Sequence, residues 1–115
     1  MTFQANPYSK LEWDQVDELL VKKVVHGEHM TATRYRFSGG GTFPNHEHPQ
    51  EQMTFLIDGS ITFHLEGNSH ALIPGDLIVI PAQVAHSALA GANGAEVLSM
   101  VSPPRSDGDR IAIIE

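Results

Sequence analysis

His46-Glu47-His48-Pro49-Gln50-Glu51-Gln52-Met53-Thr54-Phe55-Leu56-Ile57-Asp58-Gly59 is the stretch whose reading decides the fold. In an extended strand successive side chains point to opposite faces, so even-numbered positions share one side. That parity brings His46 and His48 together, and Gln52 with them if the register runs through Pro49. Two imidazoles and an amide oxygen facing one volume are the start of a metal site, and His86 is the leading candidate for a fourth ligand. Met53, Phe55 and Ile57 fall on the other face as an apolar stripe. Asp58-Gly59 has turn chemistry and predicts a reversal into a returning strand over Ser60–Leu65.

Around this stretch the chain is ordinary in bulk. Its 115 residues suit one domain with a single core, and 41% apolar with 18% charged residues describes a globular protein. A formal net charge of -7 speaks against a nucleic-acid or anionic-membrane partner. The absence of Cys excludes disulfides and thiolate chemistry. Met1–Lys10 has no apolar core of a signal peptide, and no apolar run is long enough to span a bilayer, so the expected location is cytoplasmic.

Leu11–Leu20 is the one stretch open to a helix, with a short strand or an irregular arm as the other readings. From Val21 on the pattern is strand and turn. Val21–Val25 and Met30–Phe37 read as strands about a His26-Gly27-Glu28 turn, and Gly39-Gly40-Gly41 as a sharp bend. Ile61, Phe63 and Leu65 alternate with polar residues, and Ala71–Ile73 is a short strand ending at Pro74-Gly75-Asp76. Leu77–Ile80, apolar at every position, reads as a strand covered on both faces. His86–Ala90 and Ala95–Val101 read as two strands separated by a Gly91–Gly94 turn, and Pro103-Pro104 takes the chain out of the sheet. Many short strands with frequent turns predict an all-β sandwich or barrel in one domain. The expected layout is an N-terminal arm over about 1–20, a barrel over about 21–105 and a tail over about 106–115.

The spacing of these residues resembles the two motifs of the cupin family, small β-barrels of the jelly-roll kind. Gly40, five residues, His46-x-His48, three residues, Gln52, six residues and Gly59 is similar to the first motif, with Gln52 where a Glu is usual. Gly75, five residues, Pro81, and His86 five positions later is similar to the second, with Gln83 where Gly is usual and Ala90 where Asn is frequent. Within that family, His48-Pro49-Gln50-Glu51-Gln52, Trp13, Val16 and Val101-Ser102-Pro103-Pro104-Arg105 resemble cupins of the KdgF type, which act on unsaturated uronates from pectin degradation. Gln is common at position 52 in that type. Its Asp, Phe and Arg near the C-terminus correspond here to Ser99, Val101 and Arg105.

The resemblance implies one divalent transition metal ion (Ni, Mn, Fe or Zn) held by His46, His48, Gln52 and His86. Three imidazoles and an amide are all neutral, which leaves the ion more electrophilic than a carboxylate ligand would. His26, His29, His64 and His70 are expected on the surface, and Glu47 and Glu51 away from the ion. Arg105 has two readings, a fork for a substrate carboxylate or a tail residue paired with a surface acid. Ser99 and Val101 share strand parity and are both expected to face the cavity, and Tyr35 is a candidate acid or orienting group. The expected function is ring opening of an unsaturated uronate or related acidic sugar to its keto form. A metal-dependent dioxygenase and a non-catalytic sugar- or ligand-binding cupin are the alternatives. The expected partners are a small-molecule substrate and, through the Met53, Phe55, Ile57 stripe, a second copy of the chain in a homodimer.

Overall fold

A computed structural model describes residues 8–105 and 112–113 of the chain. Among these, the regular structure is a short 3-10 turn at Tyr8–Lys10 followed by nine strands. They are β1 (Asp14–Asp17), β2 (Leu20–His26), β3 (Thr31–Phe37), β4 (Thr42–Glu47) and β5 (Glu51–Leu65). After these come β6 (Asn68–Leu72), β7 (Leu77–Ile80), β8 (His86–Ser102) and β9 (Ala112–Ile113). The fold is all-β, as the turn-rich pattern predicts. Leu11–Leu20 forms no helix. The Asp17 carboxylate accepts the Leu19 N–H at 2.8 Å, a local turn that competes with helix and folds β1 back on β2. Trp13 then lies against the outer side of β2 and β3, with Lys23 Nζ 4.5 Å and the Arg36 guanidinium carbon 4.4 Å from its ring centre. Residues 1–7 of the expected arm, and all but two of the expected tail, lie outside the described residues. Those two, Ala112–Ile113, pair with β4.

Two long strands organise the rest. β5 and β8 run antiparallel from Glu51↔Ser102 to Leu65↔His86, and each changes its other neighbour along the way. β8 pairs with β3 through residues 95–101 and with β4 through residues 86–89. β5 pairs with β7 near Gln52–Phe55 and with β6 over Ile61–Leu65. This exchange of partners closes the sheet around one interior. Leu56, Ile61, Phe63, Ile80, Ala88, Ala90, Ala95 and Val97 form its apolar core, with Leu20, Phe37 and Leu72.

Three sequence expectations fail here, each for a geometric reason. Asp58-Gly59 does not reverse the chain; β5 continues through it with register shifts against β8 on both sides, so the pair makes a bulge and not a hairpin. The extra residue switches the buried parity from even (Thr54, Leu56) to odd (Ile61, Phe63). Gly91–Gly94 likewise does not split two strands but is an excursion within β8, lying against the Gly39–Gly41 bend through Gly40 N–H to Gly91 O and Ala90 N–H to Gly41 O. Leu77–Ile80 is covered on one face only. Ile80 is buried, whereas Leu77 and Val79 are each 47% exposed, because no described element crosses the outer side of β7.

The bulge also explains its glycine. Gly59 has φ 82°, and a Cβ there would lie 2.2 Å from the carbonyl oxygen of Gly94. Gly67 has φ 80° with nothing within 4 Å of the same atom. Gly59→Ala should therefore cost more than the about 1–2 kcal/mol of left-handed backbone strain that Gly67→Ala carries. Denaturant unfolding of the two variants would check this. Equal losses would mean that the bulge relaxes around a methyl group.

Candidate metal centre

The alternation read from the sequence runs through Pro49. His46, His48, Gln50, Gln52, Thr54 and Leu56 are all buried, while Met53, Phe55 and Ile57 are exposed on the outer face. His46 and His86 are cross-strand partners in the β4–β8 ladder. His48 follows β4, and the loop after β7 closes over it, with the Gln83 N–H donating to the His48 carbonyl at 2.9 Å. Gln83 adopts φ 64° to do so, which explains why glycine suits that position of the motif.

The three imidazoles are oriented alike. Nδ1 of His46 lies 2.7 Å from the Pro44 carbonyl oxygen, Nδ1 of His48 lies 3.0 Å from that of Gln50, and Nδ1 of His86 lies 2.9 Å from that of Val84. A carbonyl only accepts, so each Nδ1 carries the proton and each Nε2 keeps a lone pair. The donor atoms of the three rings lie within 4.8 Å of one another. His86 Nε2 is buried without a hydrogen-bond partner. Gln52 Oε1 lies 2.9 Å from His48 Nε2. This is the spacing of two ligand atoms that each sit about 2.1 Å from one ion at a right angle. A lone pair left buried and unpartnered, beside others aimed at the same point, fits a cation and little else. The His46, His48, His86 triad could therefore hold a metal ion, with Gln52 beside it.

Electrostatics favour the same state. Burial, together with the neighbouring His86, His48 and Arg105, pushes the His46 pKa down to about 4 against the raising effect of its Pro44 bond. Burial and His48 lower His86 also. Both rings are thus neutral, as ligands must be, at neutral pH.

A family model for the cupin domain matches residues 33–102. The chain belongs to the cupin family. Among solved structures this cupin is similar to KdgF from Halomonas sp., at 27% identity and TM-score 0.87, over 92% of this chain and 98% of that one. It is similar to an RmlC-like cupin from Shewanella frigidimarina at 20% identity and TM-score 0.84, over 92% and 96% of the two chains. It also matches the oxalate decarboxylase of Lactobacillus farciminis in its formate complex, at 20% identity and TM-score 0.83, over 99% of this chain and 38% of that one. The last two likenesses bear on fold alone. No curated protein matches the sequence.

The cavity of this cupin is about 450 Å³ counted out to its mouth, and it takes in all seven residues singled out by sequence. His46, His48, Gln52 and His86 lie at one side, with Tyr35, Ser99 and Arg105 also on the wall. Val101, expected to face the cavity with Ser99, is buried on the same strand face but does not line it. Arg105 is not an unattached tail residue. Its N–H donates to Thr31 Oγ1 at 2.9 Å, and Ser102 Oγ donates to the His29 carbonyl at 2.7 Å, so the segment leaving β8 is tied to the β2–β3 turn. His26, His29, His64 and His70 are exposed, as expected.

Sequence reading missed two kinds of residue. Phe43, whose ring centre is 4.6 Å from that of His46, completes an apolar wall with Phe37 and Phe63. Thr54 does have a sequence signal, a polar residue at an inward position between Gln52 and Leu56. The carbonyls that orient the imidazoles carry no side-chain signature at all.

The lowered pKa values have a consequence for stability of the metal-free protein. The unfolded chain takes up protons on His46 and His86 below about pH 6.5, while the folded cavity refuses the His46 proton until about pH 4. Stability is thus full above pH 6.5 and falls as pH drops from there toward 4. Chelator-treated protein should show a falling urea midpoint across this window, and His46→Gln should flatten the slope. A midpoint constant from pH 7 to pH 5 would contradict the burial of neutral rings.

Proposed function

We propose that this cupin is a metal-dependent enzyme that opens the ring of an unsaturated uronate or related acidic sugar to the keto form. The observation that carries the reading is one cavity with a neutral ligand set on one side and Arg105 on its wall, near enough for its charge to act on His46. The likeness to KdgF over 92% of the chain supports the substrate class. A bound divalent ion would supply Lewis acidity toward a sugar oxygen. Arg105 would receive the carboxylate through its planar fork, a local cation in a chain of net charge -7. Phe37, Phe43 and Phe63 would pack the ring and keep water from it. The hydroxyls of Ser99 and Tyr35 would hold hydroxyl groups of the sugar while a proton leaves the anomeric oxygen, the ring C–O bond breaks to leave an enolate, and the enolate takes a proton on carbon to become the ketone.

Loss of the ultraviolet absorbance of an unsaturated uronate tests this directly. Protein loaded with Ni(II) or Mn(II) should accelerate the loss above the spontaneous rate, and His86→Ala should abolish both stoichiometric metal and activity. Arg105→Ala should keep its metal and lose roughly one to two powers of ten in turnover, the worth of a charge-assisted hydrogen bond of about 1.5–3 kcal/mol. Oxygen uptake by the loaded protein would favour a dioxygenase instead. Tight uronate binding with no turnover would favour a binding module.

The same reading includes a homodimer. Met53, Phe55 and Ile57 on β5 adjoin Leu77 and Val79 on β7 and Leu98 and Met100 on β8, by ladder register. The first five are each at least 37% exposed. The described part of the N-terminal arm packs over β2 and β3 instead, with Trp13 against Lys23 and Arg36. A second copy of the same face is the self-complementary cover for a flat apolar sheet. Sedimentation velocity should give a dimer for the native chain and a monomer for Phe55→Glu, with the fold retained. A native chain that sediments as a monomer at every concentration would remove this part of the reading.

A further inference from the structure

Behind the candidate ligands lies a chain of hydrogen bonds that ligation alone does not explain. Gln52 Nε2 donates to Thr54 Oγ1 at 2.8 Å, and Thr54 Oγ1 lies 2.7 Å from Ser99 Oγ. Thr54 and Ser99 face each other across the β5–β8 ladder. Thr54 has no solvent exposure at all. We propose that Thr54, backed by Ser99, is a positioning residue that holds the Gln52 amide with its oxygen toward the metal position. This rests on the reading of His46, His48, Gln52 and His86 as the ligand set.

The amide poses a problem that a carboxylate would not. Its two ends have the same shape and opposite chemistry, and only Oε1 can bind a cation. His48 Nδ1 faces the Gln50 carbonyl, so His48 Nε2 presents a lone pair to Gln52. Without an ion, a half-turn of the amide would let its NH2 donate to that lone pair. The orientation with Oε1 inward therefore needs support from behind. Thr54 provides it, because an amide NH2 turned away from the metal position would otherwise be buried with no acceptor.

The direction of the relay follows. With Gln52 Nε2 donating, Thr54 Oγ1 accepts, and the arrangement that leaves the buried Thr54 hydroxyl proton an acceptor has Thr54 donating to Ser99 Oγ. Ser99 then keeps its proton for a third group, and it lines the cavity. The relay turns Ser99 into a donor toward an oxygen of the bound ligand. A carboxylate at position 52 would force Thr54 to donate the other way.

Calorimetric titration with Ni(II), on folded full-length variants checked by circular dichroism, tests the assignment. Thr54→Val keeps the shape and removes the hydroxyl; its Ni(II) affinity should fall about ten- to a hundredfold, the cost of an unsatisfied buried donor. Thr54→Ser should restore affinity to within about threefold of the native protein. In a Gln52→Glu background, where both ends of the side chain are oxygens, Thr54→Val should cost much less than it does beside the native amide. An unchanged affinity in Thr54→Val, a failure of Thr54→Ser to rescue, or an equal loss in both backgrounds would each overturn the role. If the native protein binds no Ni(II), or His86→Ala binds it equally well, the ligand reading itself fails and takes the role of Thr54 with it.

Discussion

Three backbone carbonyls, those of Pro44, Gln50 and Val84, decide what the cavity can do. Each takes the Nδ1 proton of a histidine two residues away in the chain. Three local bonds thereby present three Nε2 lone pairs to one volume, and a His86 Nε2 buried without a partner is the clearest mark of that arrangement. Rotating any one ring would bury its N–H against the others and lose its carbonyl at once. Burial then keeps His46 and His86 neutral against the raising effect of the same carbonyl bonds, so the carbonyls set orientation and burial sets protonation state.

The carbonyls are in place because the strands keep strict alternation over the stretch that matters. From His46 to Leu56 the even positions stay inside, even though β4 ends at Glu47 and β5 begins at Glu51. Only at Ile57–Gly59 does the bulge exchange the faces, and by then the polar end of the cavity has given way to the apolar core. An extra residue between His48 and Gln52 would turn Gln52 and Thr54 out to solvent and bring Met53 in. Register is therefore a condition of the site as well as of the fold.

Charge is distributed with the same economy. Arg34 and Arg36 are engaged outside the barrel with Glu96, whose carboxyl is held below its usual range because the two guanidinium groups outweigh its partial burial. Arg105 belongs instead to the cavity wall, brought there by the bond of its own N–H to Thr31. In a chain with twice as many acidic as basic residues, this division decides where an anion could be received.

Alternation, the cupin spacing and the identity of His46, His48, Gln52 and His86 were legible in the sequence, because strand parity is a local property that survives without knowledge of neighbours. Ser99, Tyr35 and Arg105 were legible as candidates through strand position and family resemblance, and the barrel gathers them into one cavity. What sequence could not supply depends on contacts between distant strands. Asp58-Gly59 carries the same residues whether it makes a hairpin or a bulge, and only pairing with β8 selects the bulge. Leu77–Ile80 is apolar throughout, yet whether both faces are covered depends on what crosses it, which for Leu77 and Val79 is nothing in the described chain. The pairing of Thr54 with Ser99 needs the β5–β8 register, since 45 residues separate them in sequence. The sequence by itself determined which side chains could share a face; the closure of β5 against β8 decided which of them meet, because hydrogen-bond register, and not residue type, sets distances across a barrel.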